Sequence, residues 1–264
     1  EVMSRLIKTS EEIKKIKEGG LKLGSILSEL AAMVKPGTST AELEAHALRR
    51  ISEFGGRPAF KDFKPSPQSK PFPTALCISI DNEIVHGPAL PERILENGQI
   101  VSLDIGMQYP AENGYFSDTA ITVAVGDISD KAKLLLEATN EALYAGIEAV
   151  KPGNTLDDIG RAIEAVAKKY KFGIIRDLVG HGVGLEVHEE PQVPNYRIRG
   201  NEFPNLELQA GMVIAIEPMF TLGGWQIEAA PDGFTFITAD GSLSAHFEHT
   251  VAITEHGYDI LTER

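Results

Sequence analysis

Cysteine is almost absent from this chain: Cys77 is the single one among 264 residues, so no internal disulfide can form, in keeping with a reducing compartment. No apolar run approaches membrane-spanning length, and the stretch Glu1-Val-Met-Ser-Arg-Leu-Ile-Lys8 is too polar for a signal peptide, so a cytoplasmic protein is expected. Basic residues are the minority, 25 Lys and Arg against 38 Asp and Glu, for a net charge of −13. That balance argues against nucleic-acid binding as the main function and against anionic membranes, since either needs a basic patch. The phosphate signatures are missing as well. The glycine-rich Val179-Gly-His-Gly-Val-Gly184 is neither GxxxxGK[ST] nor GxGxxG. No Pro/Ser-rich linker divides the chain, and the proline- and lysine-rich stretch from Lys61 to Pro73 reads as a loop. What remains, 42% hydrophobic and 24% charged, is enough for a sizeable core.

The organisation contains an echo. Val34-Lys-Pro-Gly-Thr-Ser-Thr-Ala-Glu-Leu43 recurs as Val150-Lys-Pro-Gly-Asn-Thr-Leu-Asp-Asp-Ile159, an offset of 116 residues. In each copy one helix ends before Pro-Gly and another begins at a capping box, Ser39 with Glu42 and Thr155 with Asp158. Ile13, Ile16, Leu23, Leu27 and Leu30 make the stripe of the first helix, and Leu134, Leu135, Ala138 and Ala142 a looser one in the second half. The expectation is one domain, residues 1–264, built from two related halves of about 1–126 and 127–264. Each half runs helix, helix, strands, which gives an α+β fold with helices on one face of a largely antiparallel sheet.

Carboxylates occupy the strands. Asp104, Asp118, Glu217 and Glu248 lie in or beside the runs Val101–Ile105, Ser117–Val123, Met212–Met219 and His246–Ile253. A lone ionised carboxylate in such a place costs several kcal/mol, so a cluster of them points to cations. With His181 between its glycines, the set holds four carboxylates and one imidazole. Those donors favour Mn²⁺, Fe²⁺ or Co²⁺, with Zn²⁺ also accommodated, and four negative charges balance two divalent ions. Two metals bridged by carboxylates and a water or hydroxide are the device of two-metal hydrolases. His86 and His188 stand near the same runs. His46, His246 and His256 are read as structural or solvated, and His249 should face away from Glu248 on a strand.

The segments VSLDIG, GYFSDTA, GHGVG, HEEPQV, AIEPM and SLSAHFEHTV together resemble the type I methionine aminopeptidases, from about Leu6 to Thr254. The resemblance implies a pseudo-twofold pita-bread fold, a central antiparallel sheet covered by two pairs of helices. It also implies removal of the N-terminal methionine from nascent proteins and peptides with a small second residue. By the same resemblance Asp104 chelates one metal, Asp118 and Glu248 bridge both, and His181 and Glu217 hold the other. Glu217 would also pass protons, and His86 and His188 would hold substrate and help transfer protons. Phe72, Cys77, Val187 and Phe234 match the family's methionine pocket. Three departures stand out: Val187 and Phe234 replace residues that are often larger aromatics, and Asp104 and Asp118 are 14 residues apart where the family usually has 11. The extra residues fall in Tyr109–Gly114, where a longer hairpin would absorb them. No long insertion lies between Glu217 and Glu248 and no cysteine-rich stretch precedes the motifs, so the short form, common in bacteria, is expected. A monomer is expected, with transient ribosome contact as a further expectation. Three other readings stay open: a proline-specific peptidase of the aminopeptidase P or prolidase type, a non-catalytic relative that binds protein or RNA, and a metal hydrolase on an unrelated fold.

Overall fold

A computed structural model describes residues 6–264, so residues 1–5 of the polar N-terminal stretch lie outside it. Among the described residues four helices form where the apolar spacing placed them: α1 Ser10–Met33, α2 Thr40–Glu53, α3 Asp130–Glu148 and α4 Leu156–Tyr170. Ser39 and Glu42 close the full capping box of α2, and at α4 the Asp158 carboxylate accepts the Thr155 N–H at 2.8 Å. The two Pro-Gly turns are hydrogen-bonded alike. Gly37 donates to the Leu95 carbonyl and Leu95 returns a bond to Thr38, while Gly153 donates to Leu208 and Leu208 returns one to Asn154. Both glycines are left-handed, φ +92° and +88°, a conformation that disfavours a side chain.

Strands follow each helix pair. After α2 come β1 Arg57–Pro58, β2 Leu76–Ile80, β3 Glu83–Val85, β4 Ile100–Tyr109 and β5 Tyr115–Ala124. After α4 come β6 Gly173–Ile174, β7 Gly180–Gly182, β8 Glu189–Val193, β9 Val213–Ile216 and β10 Met219–Thr221, then β11 Ile227–Ala229, β12 Phe236–Thr238, β13 Ser244–His246, β14 Glu248–Thr254 and β15 Gly257–Ile260. Nine strands make one sheet along β1-β4-β5-β14-β9-β7-β8, with β2 on β4 and β15 on β14, and its pairings are antiparallel.

The helices lie on one face of that sheet. Leu23, Leu27, Leu30, Leu43 and Ile51 pack on Leu103 and Ile105 of β4, and Leu135, Leu143, Ile159 and Ile163 pack on Ile214, Val251 and Ile253. Because side chains alternate along a strand, Asp104 between Leu103 and Ile105 must point to the other face, as must Glu248 and Thr250 beside Val251. The seam between β5 and β14 is stitched by threonines: Thr119 donates to the Glu248 carbonyl at 2.9 Å and Thr250 to the Asp118 carbonyl at 2.8 Å.

Two of the expected strands are interrupted. The run Met212–Met219 divides into β9 and β10 at Glu217-Pro218, and the run from His246 divides into β13 and β14 at Phe247. Pro218 has no N–H to give a ladder, and Phe247 donates to its carbonyl. Past this level β10 and β13 pair with each other in a separate three-stranded sheet. Glu217 and Glu248 stand at the division.

Candidate metal centre

The register assembles the carboxylates. Cys77 pairs with Asp104, Asp104 with Ala120, and Ala120 with Glu248, so four residues from β2, β4, β5 and β14 form one row across the sheet. Asp118 lies two residues along β5 from Ala120 and shares its face. The longer Asp104–Asp118 spacing is taken up in the hairpin, whose ladder stays in register to the Tyr109–Tyr115 pair. Ala120 matters because it is small: a methyl group at the middle of the row leaves room between the acids.

His181 and Glu217 close the cluster from the second half of the chain. His181 Nε2 is 3.4 Å from Glu217 Oε1 and 3.9 Å from Asp118 Oδ2. Possible ligand atoms of His181, Glu217 and Glu248 lie within 4.8 Å of one another, as do those of Asp104, Asp118 and Glu248 and those of Asp118, His181 and His188. The His181 Nδ1 lies 2.9 Å from the Gly182 carbonyl. A carbonyl only accepts, so Nδ1 carries the hydrogen and Nε2 presents its lone pair to the acids, the tautomer a metal requires. The flanking glycines admit neighbouring backbone, because a Cβ on Gly180 would meet the Ala215 carbonyl and one on Gly182 the Glu190 carbonyl.

Among the described residues Arg264 opposes the charge of Glu248, but burial and the neighbouring acids outweigh it. Burial pushes Asp104 up to about 6 and Glu217 up to about 8, and burial with neighbouring carboxylates pushes Asp118 and Glu248 well above the usual range. Burial drives His181 down to about 3. Asp104 Oδ1 and Asp118 Oδ1 are buried without a hydrogen-bond partner. Orphaned carboxylate oxygens converging with an imidazole lone pair are what divalent cations would satisfy, and the donor set fits them.

His86 and His188 stand beside this cluster. The His181 and His188 ring centroids are 4.5 Å apart. His188 is held through its neighbour: the Glu189 carboxylate accepts Lys8 Nζ at 2.5 Å and the Glu186 N–H at 2.8 Å. His86 follows β3 at φ +61°, a strained conformation for a residue with a side chain, of the kind that gathers at functional sites.

A cleft of about 1000 Å³ opens onto the acids. Phe72, Cys77, Val187 and Phe234 line it as a group, with Phe72 and Phe234 edge to face at 5.6 Å. Phe60 and Phe63 belong to the same apolar wall, and Phe63 packs 5.2 Å from His188. These two were missed, although the phenylalanines recurring through the loop Lys61–Pro73 and just before it were a signal. His246 was missed too. Of the two alternatives read for it, structural or solvated, burial fits the first, and its Nε2 lies 3.6 Å from Glu217 Oε2. His249 does face away, toward Thr262 at 2.9 Å, and His46 pairs with Glu29 at 2.7 Å.

Residues 14–255 match the family described as Metallopeptidase family M24. The chain belongs to that family. A methionine aminopeptidase of Aquifex aeolicus is 46% identical over 255 residues, 97% of each chain. The crystal structure of a Thermotoga maritima methionine aminopeptidase superposes with a TM-score of 0.90 at 39% identity, covering 98% of this chain and 99% of that one. A Pyrococcus furiosus prolidase is more distant, with a TM-score of 0.74 at 27% identity over 67% of its length. The pita-bread fold expected from the motifs is the fold of this M24 chain.

Proposed function

We propose that this M24 chain removes the N-terminal methionine from nascent polypeptides and peptides, preferring a small second residue. The observation that carries the reading is the junction of two features, the cluster of Asp104, Asp118, His181, Glu217 and Glu248 and the apolar cleft of Phe72, Cys77, Val187 and Phe234 beside it. In this reading Asp104 would hold one ion, Asp118 and Glu248 would serve both, and His181 and Glu217 would hold the other. Bound there, two divalent cations supply Lewis acidity and an activated water at neutral pH. The four-carboxylate, one-imidazole donor set supports Mn²⁺, Fe²⁺ or Co²⁺. Glu217, ionised once cations neutralise the cluster, would take the proton of the attacking water and pass it to the leaving amine. Burial lowers His86 to about 4 and also lowers His188, so both are neutral near pH 7 and can donate to the peptide carbonyl or accept from its amine. The relatives named methionine aminopeptidase support the substrate. The matching Pro-Gly turns support a chain of two related halves, about 1–126 and 127–264, with the site shared between them.

The test is one assay. Protein stripped of metal and then given Mn²⁺ or Co²⁺ should release the first residue of Met-Ala-Ser well ahead of Leu-Ala-Ser and Ala-Pro peptides. Preference for the proline peptide would place the chain with the prolidases instead, and inactivity with every metal would favour a binding role.

His188→Ala separates substrate handling from metal binding. The variant should keep its metal content while kcat falls about a hundredfold, the usual contribution of a positioned proton-transfer group. Metal loss equal to that of a ligand variant would place His188 among the ligands.

A further inference from the structure

His246 ends β13 at 1% exposure, and neither of its ring nitrogens has a hydrogen-bond partner. Its backbone leaves it little freedom. The His246 N–H donates to Thr122 Oγ1 and the Thr122 hydroxyl faces the His246 carbonyl, each at 2.8 Å, while β13 pairs with β10 at Met219. From that fixed base Nε2 reaches within 3.6 Å of Glu217 Oε2. The other Glu217 oxygen, Oε1, lies 3.4 Å from His181 Nε2. The carboxylate is therefore suspended between two imidazoles, one turned to the ligand cluster and one to the protein wall. A separation of 3.6 Å is longer than a hydrogen bond, and a shift of about 0.7 Å in the carboxylate would complete one.

We propose that His246 is a positioning residue, whose Nε2–H donates to Glu217 Oε2 and so reserves Oε1 for the ligand side. Glu217 is then held through one oxygen and cannot rotate both toward the same ion. The partners that orient a ligand are as consequential as the ligand itself, since they fix its rotamer and basicity. This inference rests on the reading of Glu217 as a ligand and proton carrier.

The direct test is the ring tautomer. In zinc-loaded protein, long-range ¹H–¹⁵N spectra should show His246 with its hydrogen on Nε2, and a hydrogen on Nδ1 would overturn the proposal. That readout does not depend on peptidase activity, so failure to cleave methionyl peptides sinks the functional reading and leaves this one standing. Substitution supplies the second arm. His246→Met, which fills the space without a donor, should lower kcat and zinc affinity by calorimetry roughly 10- to 100-fold with KM nearly unchanged. His246→Gln restores an N–H and should recover most of both. A Gln variant as impaired as Met, or a Met variant as good as the parent, would show that shape alone matters. If His246→Met does not fold, the tautomer and the Gln variant still decide.

Discussion

Asp118→Asn is expected to reduce turnover by about a thousandfold or more, because it would remove a carboxylate that, in the function proposed above, serves both ions. The same change should raise the melting temperature of chelator-treated protein. Asp118 is pushed well above the carboxylate range by burial and then by Asp104 and Glu217, and its Oδ1 is buried without a partner. Metal-free protein must either protonate that group or carry its charge uncompensated, and asparagine of the same shape does neither. A gain of about 2–4 °C for each kcal/mol relieved follows for a domain of this size. Opposite movement of activity and stability is the signature of a site residue, where structural damage would lower both. Activity within tenfold of the parent, or a lower melting temperature without metal, would contradict the bridging position.

Metal-free protein should also lose stability between pH 7 and 9, while metal-loaded protein should not. A carboxyl whose pKa is raised by folding is costless below its unfolded value and destabilises as pH rises through its folded value. Glu217 is raised to about 8, and Asp118 and Glu248 are raised well above the usual range. Glu217 alone accounts for about 1.4 kcal/mol over that window. Cys77, raised by burial, adds in the same direction above about pH 8.5. Between about pH 4 and 6.5 His86 and His181, lowered to about 4 and about 3, act in the opposite direction, because they resist the charge the unfolded chain accepts. Thermal melts in chelator should therefore fall as pH rises through 7 to 9, and added Mn²⁺ should extend the plateau upward, since deprotonated ligands bind it best. Parallel pH profiles with and without metal would rule out the acids as the cause.

The candidate metal centre was legible in the sequence because its chemistry conflicts with its surroundings. Asp104 between Leu103 and Ile105, and Glu248 ahead of Val251, are carboxylates in strand patterns that periodicity alone assigns to a buried sheet. The echo of Pro-Gly and capping boxes exposed the helix pairs for a similar reason, since helix ends have local chemistry. The strand divisions at Glu217-Pro218 and Phe247 were not visible. They depend on two strands leaving one sheet together, which neither apolar run records. Phe60 and Phe63 stayed hidden in and before the loop because its path is set by long-range packing. His246 was readable in principle: it lies two residues from Glu248 in one strand-like run, and period-two alternation puts such residues on one face.

The threonine-stitched seam between β5 and β14 gives metal binding a mechanical meaning. Asp118 and Glu248 are on opposite sides of that seam and 130 positions apart in the chain. Ions held by both would close a loop of that length, and a covalent link of comparable span removes about 5 kcal/mol of unfolded-chain entropy as an upper bound. A protein with one cysteine would thus gain a reversible bolt in place of a disulfide, tightened by the supply of divalent ions.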